Sequence, residues 1–110
     1  KKLWLTLASV GSAQFIDFRG CVQYLDVVNV MAYDMGNAPK HHSALYRSPN
    51  VGWLCASEAV EAHRKAGVPY SKMVLGMPFY GRGEKGRTQR REAEPVCGYA
   101  ELRRRRSDLL

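Results

Sequence analysis

The sequence has little of three features that define whole classes of protein: long apolar runs, paired cysteines and a hydrophobic leader. No apolar stretch approaches the ~18 residues of a membrane span, so we expect no membrane partner. The cysteines, Cys21, Cys55 and Cys97, lie far apart without a Cys-x-x-Cys pair, which argues against a zinc site. Lys1 and Lys2 lead directly into a strand-like pattern without a small-residue cleavage site, which is not typical of a signal peptide.

What is present is the composition of an ordinary globular protein, with 45% hydrophobic and 25% charged residues in a chain of 110. The chain begins at Lys1 and not at a methionine. We therefore expect it to be part of a longer polypeptide.

The segment at residues 25–36 combines an apolar strand with a polar end and reads Leu-Asp-Val-Val-Asn-Val-Met-Ala-Tyr-Asp-Met-Gly. Its β-branched run predicts a strand covered on both faces, as in a parallel sheet. Side chains alternate along a strand, so Met31 and Tyr33 share one face and Val28 and Val30 the other. Because polar groups at the end of a buried strand mark the ligand side of an α/β sheet, Tyr33 and Asp34 are the first site candidates.

A second segment of the same kind occupies residues 72–83 and reads Lys-Met-Val-Leu-Gly-Met-Pro-Phe-Tyr-Gly-Arg-Gly. Continued strand alternation would place Gly76, Pro78, Tyr80 and Arg82 on one face. The small residues on that face leave room for a ligand or for another stretch of backbone.

Further elements complete a βαβ pattern. Residues 3–10 predict a strand, residues 13–24 a short helix that Gly20 weakens, and residues 51–66 an amphipathic helix. Ser48 or Asn50 could cap that last helix, and Gly67 with Pro69 would end it. Parallel strands joined in this way have their C-terminal ends together. The side chains expected at this shared rim are Tyr33, Asp34, Tyr80 and Arg82.

The loop at residues 34–50 exceeds the ~12–15 residues beyond which structureless loops are uncommon, and such loops often bind ligands. It contains His41 and His42. Adjacent side chains diverge, and no third ligand stands at a suitable spacing, so we expect no metal.

Residues 84–110 form an Arg-rich tail without a clear pattern of secondary structure. Its arginines include Arg87, Arg90, Arg91 and the run Arg103 to Arg106. A solvated or disordered end is the first interpretation. An alternative is an unrelated α/β protein whose tail contacts nucleic acid or an acidic surface. With the first interpretation we expect no nucleic-acid partner.

The two strand ends carry a family resemblance. Val-Met-Ala-Tyr-Asp at residues 30–34, followed by Leu-Gly-Met-Pro-Phe-Tyr-Gly-Arg at residues 75–82, resembles the glycoside hydrolase family 18 chitinases. His42-Ser-Ala-Leu-Tyr46 resembles the family's segment between them. The resemblance covers residues 3 to about 83 and implies an α/β fold, namely part of a (β/α)8 TIM barrel with about its strands five to seven and their helices. Such a barrel typically needs about 250 residues. We therefore divide the chain into a barrel fragment, residues 1–83, and the tail, residues 84–110.

The resemblance also implies a chemistry. Family 18 enzymes cleave β-1,4 links in chitin or N-acetylglucosamine oligosaccharides by a substrate-assisted, retaining route without a cofactor. By this resemblance, Tyr33 and Asp34 are catalytic, whereas Met31, Tyr80 and Arg82 bind substrate. Taken singly, each residue also has an ordinary structural explanation.

One expected group is missing. The family's proton donor is the glutamate that ends an Asp-x-x-Asp-x-Asp-x-Glu motif on the fourth strand, and no such pattern occurs here. We therefore expect the chain alone to be inactive and its parent protein to be a chitinase. The alternative is a non-catalytic, glycan-binding relative. A secreted or extracellular location is favoured by the resemblance only.

Overall fold

A computed structural model describes residues 3–83, which form a parallel sheet with helices in the connections. The strands are β1 (Thr6–Val10), β2 (Val27–Met31) and β3 (Met73–Leu75). Helix α1 (Phe18–Cys21) lies between β1 and β2, and helix α2 (Ala56–Lys65) lies between β2 and β3. Short 3-10 turns occupy Val22–Tyr24 and Tyr70–Lys72. The predicted tail at residues 84–110 lies outside the described residues.

The predicted parallel arrangement is confirmed. Strand β2 is central, with Thr6 opposite Val27 on one side and Val28 opposite Met73 on the other. Because all the strands run in the same direction, their C-terminal ends meet at one edge of the sheet. The loops that carry the candidate site residues start from that edge.

The predicted alternation along β2 is also confirmed, but only one of its faces is fully buried. Val28 and Val30 have 0% exposure and pack in a core with Phe18, Ala59 and Val68. The other face, which includes Asn29 and Met31, is half-buried. The prediction of full cover on both faces is therefore wrong for residues 3–83.

A buried polar pair connects helix α2 to strand β1. The Nδ1 atom of His63 lies 2.7 Å from the Ala59 carbonyl oxygen, and its Nε2 atom lies 2.8 Å from Ser9 Oγ. A carbonyl only accepts, so Nδ1 carries the proton and the Ser9 hydroxyl donates to Nε2. Both side chains are buried, so this serine–histidine pair holds the helix on the sheet and has no access to substrate.

Helix α2 begins five residues later than predicted, because the preceding chain is held in other interactions. Val51 forms a bridge with His41, and the Trp53 N–H donates to the Met35 carbonyl. The cap is Cys55, whose backbone N–H donates to the Glu58 carboxylate at 3.2 Å. Ser48 and Asn50 therefore do not cap this helix. Its predicted end is confirmed, since Gly67 follows it with φ of +110°.

The other elements are shorter than predicted. Strand β3 ends at Leu75, so Gly76, Pro78, Tyr80 and Arg82 do not form a strand face. Pro78 has no N–H to donate to a neighbouring strand, which disfavours extension of β3. The helix predicted at residues 13–24 is reduced to α1, where the Asp17 carboxylate accepts the Gly20 N–H. Within residues 3–83, no helix has the length and hydropathy needed to cross a bilayer.

Gly52 is expected to be the glycine least tolerant of substitution. A Cβ atom there would lie 2.0 Å from the Met35 carbonyl oxygen and 2.3 Å from the Gly36 Cα. We expect Gly52→Ala to lower the free energy of unfolding by about 3 kcal/mol, because a backbone clash cannot be relieved by a rotamer change. Urea unfolding of the longer polypeptide checks this value. Gly81→Ala is the matched control, since nothing lies within 4 Å of its Cβ position. Equal midpoints for the two variants would contradict the prediction.

Candidate active site

The loops that follow β2 and β3 lie side by side at the edge where these strands end. The Gly76 N–H donates to the Val30 carbonyl at 2.8 Å, so the chains stay paired for one residue beyond β3. A Cβ atom at Gly76 would lie 3.0 Å from Cε1 of Tyr33. The small residue therefore leaves room for the Tyr33 ring. A Cβ atom at Gly76 would also lie 3.1 Å from the Val30 carbonyl oxygen, so the predicted close approach of another stretch of backbone is confirmed at this glycine.

An ion pair joins the two loops. The Arg82 Nε donates to the Asp34 Oδ1 at 2.8 Å, and the two side chains are 55% and 42% exposed. The Arg82 guanidinium is the main cause that lowers the pKa of Asp34 from its ordinary value. The same pair raises the pKa of Arg82. Asp34 is therefore an ionised carboxylate at neutral pH.

The backbone of Asp34 is in the left-handed region, with φ of +55°. This conformation is uncommon for residues with a side chain, although aspartate and asparagine adopt it more readily than most. The Asp34 N–H donates to His42 Nδ1 at 3.0 Å, and the Met35 N–H donates to the His42 carbonyl at 2.8 Å. Two consecutive N–H groups thus bind one histidine, which holds the chain at the turn after β2.

Tyr80 is the centre of an aromatic cluster at this edge. Its ring stacks on His42 with centroids 5.4 Å apart and meets the edge of Tyr33 at 6.3 Å. The Arg82 guanidinium lies 5.2 Å from its ring centre. Partial burial, together with the nearby Asp34 carboxylate, raises the pKa of Tyr80, so its hydroxyl keeps its proton at neutral pH.

A pocket of about 470 Å³ opens beside the ion pair. This volume falls within the range of about 300–1,000 Å³ that is usual for small-molecule sites. Its lining residues come from the loops after β2 and β3, and they are Asp34, Gly36, Asn37, Ala38, Arg82 and Gly83. The carboxylate and the guanidinium supply its charged groups.

The structure brings together four of the five candidate residues. Tyr33 and Tyr80 are in ring contact, and Asp34 and Arg82 are paired at the pocket. Met31 is different, because it is the last residue of β2, opposite Val10, and takes part in neither of these contacts. The pocket is lined by Asp34 and Arg82 but not by Tyr33, Tyr80 or Met31.

The contacts of His42 with Asp34 and Tyr80 were not predicted from the sequence, where the adjacent pair His41 and His42 only raised the question of a metal site. A histidine in a long loop that follows a polar strand end was the available signal. Among residues 3–83, no group of three or more histidine, cysteine, aspartate or glutamate side chains is arranged to hold a metal ion.

We expect Arg82→Gln to raise the pKa of Asp34 toward its ordinary value, since the main cause of the lowering is lost. A carboxylate whose pKa is lowered by folding adds stability above its unfolded pKa, and that stability is lost as the pH falls through the lowered pKa. The free energy of unfolding of the variant should therefore lose this dependence as the pH falls through the lowered pKa of Asp34. Carboxyl carbon NMR during a pH titration of the longer polypeptide measures the change. Arg64→Gln removes the same charge from helix α2 and should leave Asp34 unaffected; a similar shift in that control would contradict the assignment.

Comparison with protein families gives a match over residues 1–107 to the family described as Glycosyl hydrolases family 18. Among curated relatives, Chitinase A1 of Niallia circulans is 33% identical over 104 residues, which cover 81% of this chain and 15% of that protein. Endochitinase 1 of Metarhizium robertsii is 43% identical over 65 residues, covering 53% of this chain and 15% of the relative. The chain thus spans about 15% of the length of these curated relatives.

Solved structures give the same result. The chitinase domain of the spore coat protein CotE from Clostridium difficile matches with a TM-score of 0.65 and 32% identity, over 72% of this chain and 26% of that one. Chitinase ChiA74 from Bacillus thuringiensis matches with a TM-score of 0.64 and 33% identity, over 72% and 14% respectively. The described parallel sheet, with its helices, is therefore similar to part of a chitinase domain.

Proposed function

The chain belongs to glycosyl hydrolases family 18, and from this membership we propose that it is a central part of a chitinase barrel. Residues 1–83 would supply strands five to seven of the (β/α)8 barrel with their helices, and residues 84–110 the Arg-rich segment that follows. The parallel order of β1, β2 and β3, with site residues at the C-terminal ends of β2 and β3, supports this placement.

The proposed activity of the longer polypeptide is hydrolysis of β-1,4 links in chitin or N-acetylglucosamine oligosaccharides. In the substrate-assisted route, the acetamide oxygen of the substrate attacks the anomeric carbon while the leaving oxygen takes a proton. Attack and later hydrolysis each invert that carbon, so the product retains its configuration. The proton donor would be a glutamate outside these 110 residues.

The observation that carries the proposal is the Asp34–Arg82 pair beside the pocket, in contact with the tyrosine cluster. Asp34 would stabilise the positive charge that develops on the distorted sugar, since it is an ionised carboxylate that Arg82 holds at the edge of the pocket. Tyr33 would donate a hydrogen bond from its hydroxyl to the acetamide and hold it for attack.

Three further residues would bind substrate. Arg82 lines the pocket and can donate from its free guanidinium nitrogens to sugar hydroxyls. Tyr80 would present its ring or hydroxyl to the sugar chain, next to Arg82. Met31, at the end of β2, would form the apolar floor under the sugar.

The test is product analysis with the longer polypeptide that contains this chain. Incubation with a chito-oligosaccharide should release shorter oligosaccharides with retained anomeric configuration, as followed by proton NMR at early times. Binding without hydrolysis would contradict the enzyme proposal and support a glycan-binding relative, for which the absence of the glutamate motif from this sequence is the motivating observation. If the longer polypeptide neither binds nor hydrolyses the oligosaccharide, the enzyme proposal and the glycan-binding alternative are both contradicted.

A further inference from the structure

We infer that His42 is a positioning residue for the proposed site, because its ring joins the backbone of Asp34 to the ring of Tyr80. The inference rests on the proposed role of Asp34 and goes beyond it, since His42 itself would not touch the substrate. It lies in the long loop that follows β2, and its side chain is only 12% exposed.

The first contact determines the protonation state of the ring. The Asp34 N–H is a donor, so His42 Nδ1 must accept and carry no proton, which places the ring proton on Nε2. The Asp34 Oδ1 lies 3.7 Å from the same nitrogen. A proton on Nδ1 would abolish the backbone hydrogen bond and attract the carboxylate that Arg82 now holds. A ring with its proton on Nε2, whose unprotonated Nδ1 accepts the Asp34 N–H, therefore fits the observed arrangement.

The second contact of His42 is with Tyr80, in the chain that follows β3. The His42 ring is nearly parallel to the Tyr80 ring, at 17°, with centroids 5.4 Å apart. Tyr80 in turn contacts Arg82, the partner of Asp34. The loop after β2 and the chain after β3 are thus connected through the ion pair, through the Tyr33–Tyr80 contact and through His42.

Asp34 needs such support because its backbone is in the left-handed region. A residue with a side chain persists in the left-handed region when its surroundings hold it there, and His42 supplies a ring acceptor for residue 34 and a carbonyl acceptor for residue 35. Loss of the ring acceptor leaves the Asp34 N–H without its partner and lets the carboxylate shift. Shifts smaller than an ångström at a reacting centre reduce turnover more than binding.

Two substitutions separate the contacts in the longer polypeptide. His42→Asn places an amide oxygen at the position of Nδ1 and removes the ring, whereas His42→Phe keeps a ring for Tyr80 and removes the acceptor. We expect His42→Phe to lower kcat about tenfold with KM within about twofold, and His42→Asn to retain most of kcat. His41→Phe is the matched control, because His41 is exposed and adjacent, and it should leave both constants unchanged.

A second measurement does not depend on hydrolysis. Hydrogen exchange at the Asp34 amide should be at least about tenfold faster in His42→Phe than in the parent, with His42→Asn close to the parent. If the parent hydrolyses no chito-oligosaccharide, the proposed function fails, while this exchange pattern still tests His42. If His42→Phe does not fold, His42→Leu replaces it, since leucine also lacks an acceptor.

The inference is overturned if His42→Phe keeps kcat within twofold, if both variants lose kcat equally, or if the Asp34 amide exchanges at one rate in all three proteins. It is also overturned if His42→Asn unfolds together with the variants that lack an acceptor, because His42 would then serve the fold and not the site.

Discussion

The isolated 110-residue chain is expected to release no product from a chito-oligosaccharide above a protein-free blank. The reason is chemical: a positioned general acid contributes about 10²–10⁴-fold to such reactions, and no glutamate in this sequence ends the family's acidic motif. Reducing-sugar release or mass spectrometry of the products measures the outcome.

The comparison for this experiment is the longer polypeptide, assayed at the same molar concentration. A variant in which the proposed upstream glutamate is replaced by glutamine should fall to the level of the isolated chain. Hydrolysis by the isolated chain that exceeds the blank would contradict the account, because it would require a proton donor within residues 1–110.

The same chain is also expected to fold poorly alone. Large apolar side chains are exposed at both edges of the sheet, with Trp4 at 67% beside β1 and Met77 and Phe79 at 72% and 98% beyond β3. We propose that flanking strands of the barrel cover them in the longer polypeptide. A sharp, cooperative thermal transition of a monomer would contradict this expectation.

Replacement of Asp34 by asparagine in the longer polypeptide is expected to lower kcat by about 100-fold or more. Asparagine keeps the shape of the side chain, adopts left-handed backbone angles about as readily, and retains an oxygen for Arg82. The variant thus removes the negative charge with little change in the backbone. Steady-state kinetics with a chito-oligosaccharide gives kcat and KM separately.

The matched control for that experiment is Asp17→Asn. Asp17 caps helix α1 through its carboxylate, and asparagine caps helices as well as aspartate does. We therefore expect this variant to keep the parent kcat. If kcat falls less than tenfold in Asp34→Asn, or falls equally in the control, the proposed catalytic role of Asp34 is contradicted.

The features that local sequence dictates were predictable. The apolar run in β2 has to be buried, and its alternation placed Val28 and Val30 together on one face, which is the fully buried one, although both faces had been predicted to be covered. Parallel strands joined by helices bring their ends together, which is why Tyr33 and Tyr80 could be expected at one edge although they lie 47 positions apart in sequence.

The features that depend on tertiary contacts were not predictable. The start of helix α2 is displaced to Ala56 because Gly52 fits against Met35, a contact that no periodicity encodes. The end of β3 at Leu75 is likewise not marked by the apolar pattern, which continues further, although Pro78 disfavours extension of the strand. Side-chain alternation therefore did not apply to Tyr80 and Arg82.

In the candidate site, too, some features follow from local sequence and others depend on tertiary contacts. Two strand ends with polar residues identified Asp34 and Arg82, but their pairing through Nε and the stacking of His42 on Tyr80 arise from loop geometry. The conformation of Asp34 depends on an acceptor eight residues away, inside a loop without periodicity. Positions in such loops become assignable only when the surrounding chain is folded.

The most direct test of the central claim is to sequence the transcript upstream of Lys1. We predict an Asp-x-x-Asp-x-Asp-x-Glu stretch about one βα unit earlier in the same reading frame, which would supply the proton donor to the proposed site at Tyr33 and Asp34. An upstream sequence in which that final glutamate is replaced, or in which the stretch is absent, would contradict a catalytic barrel.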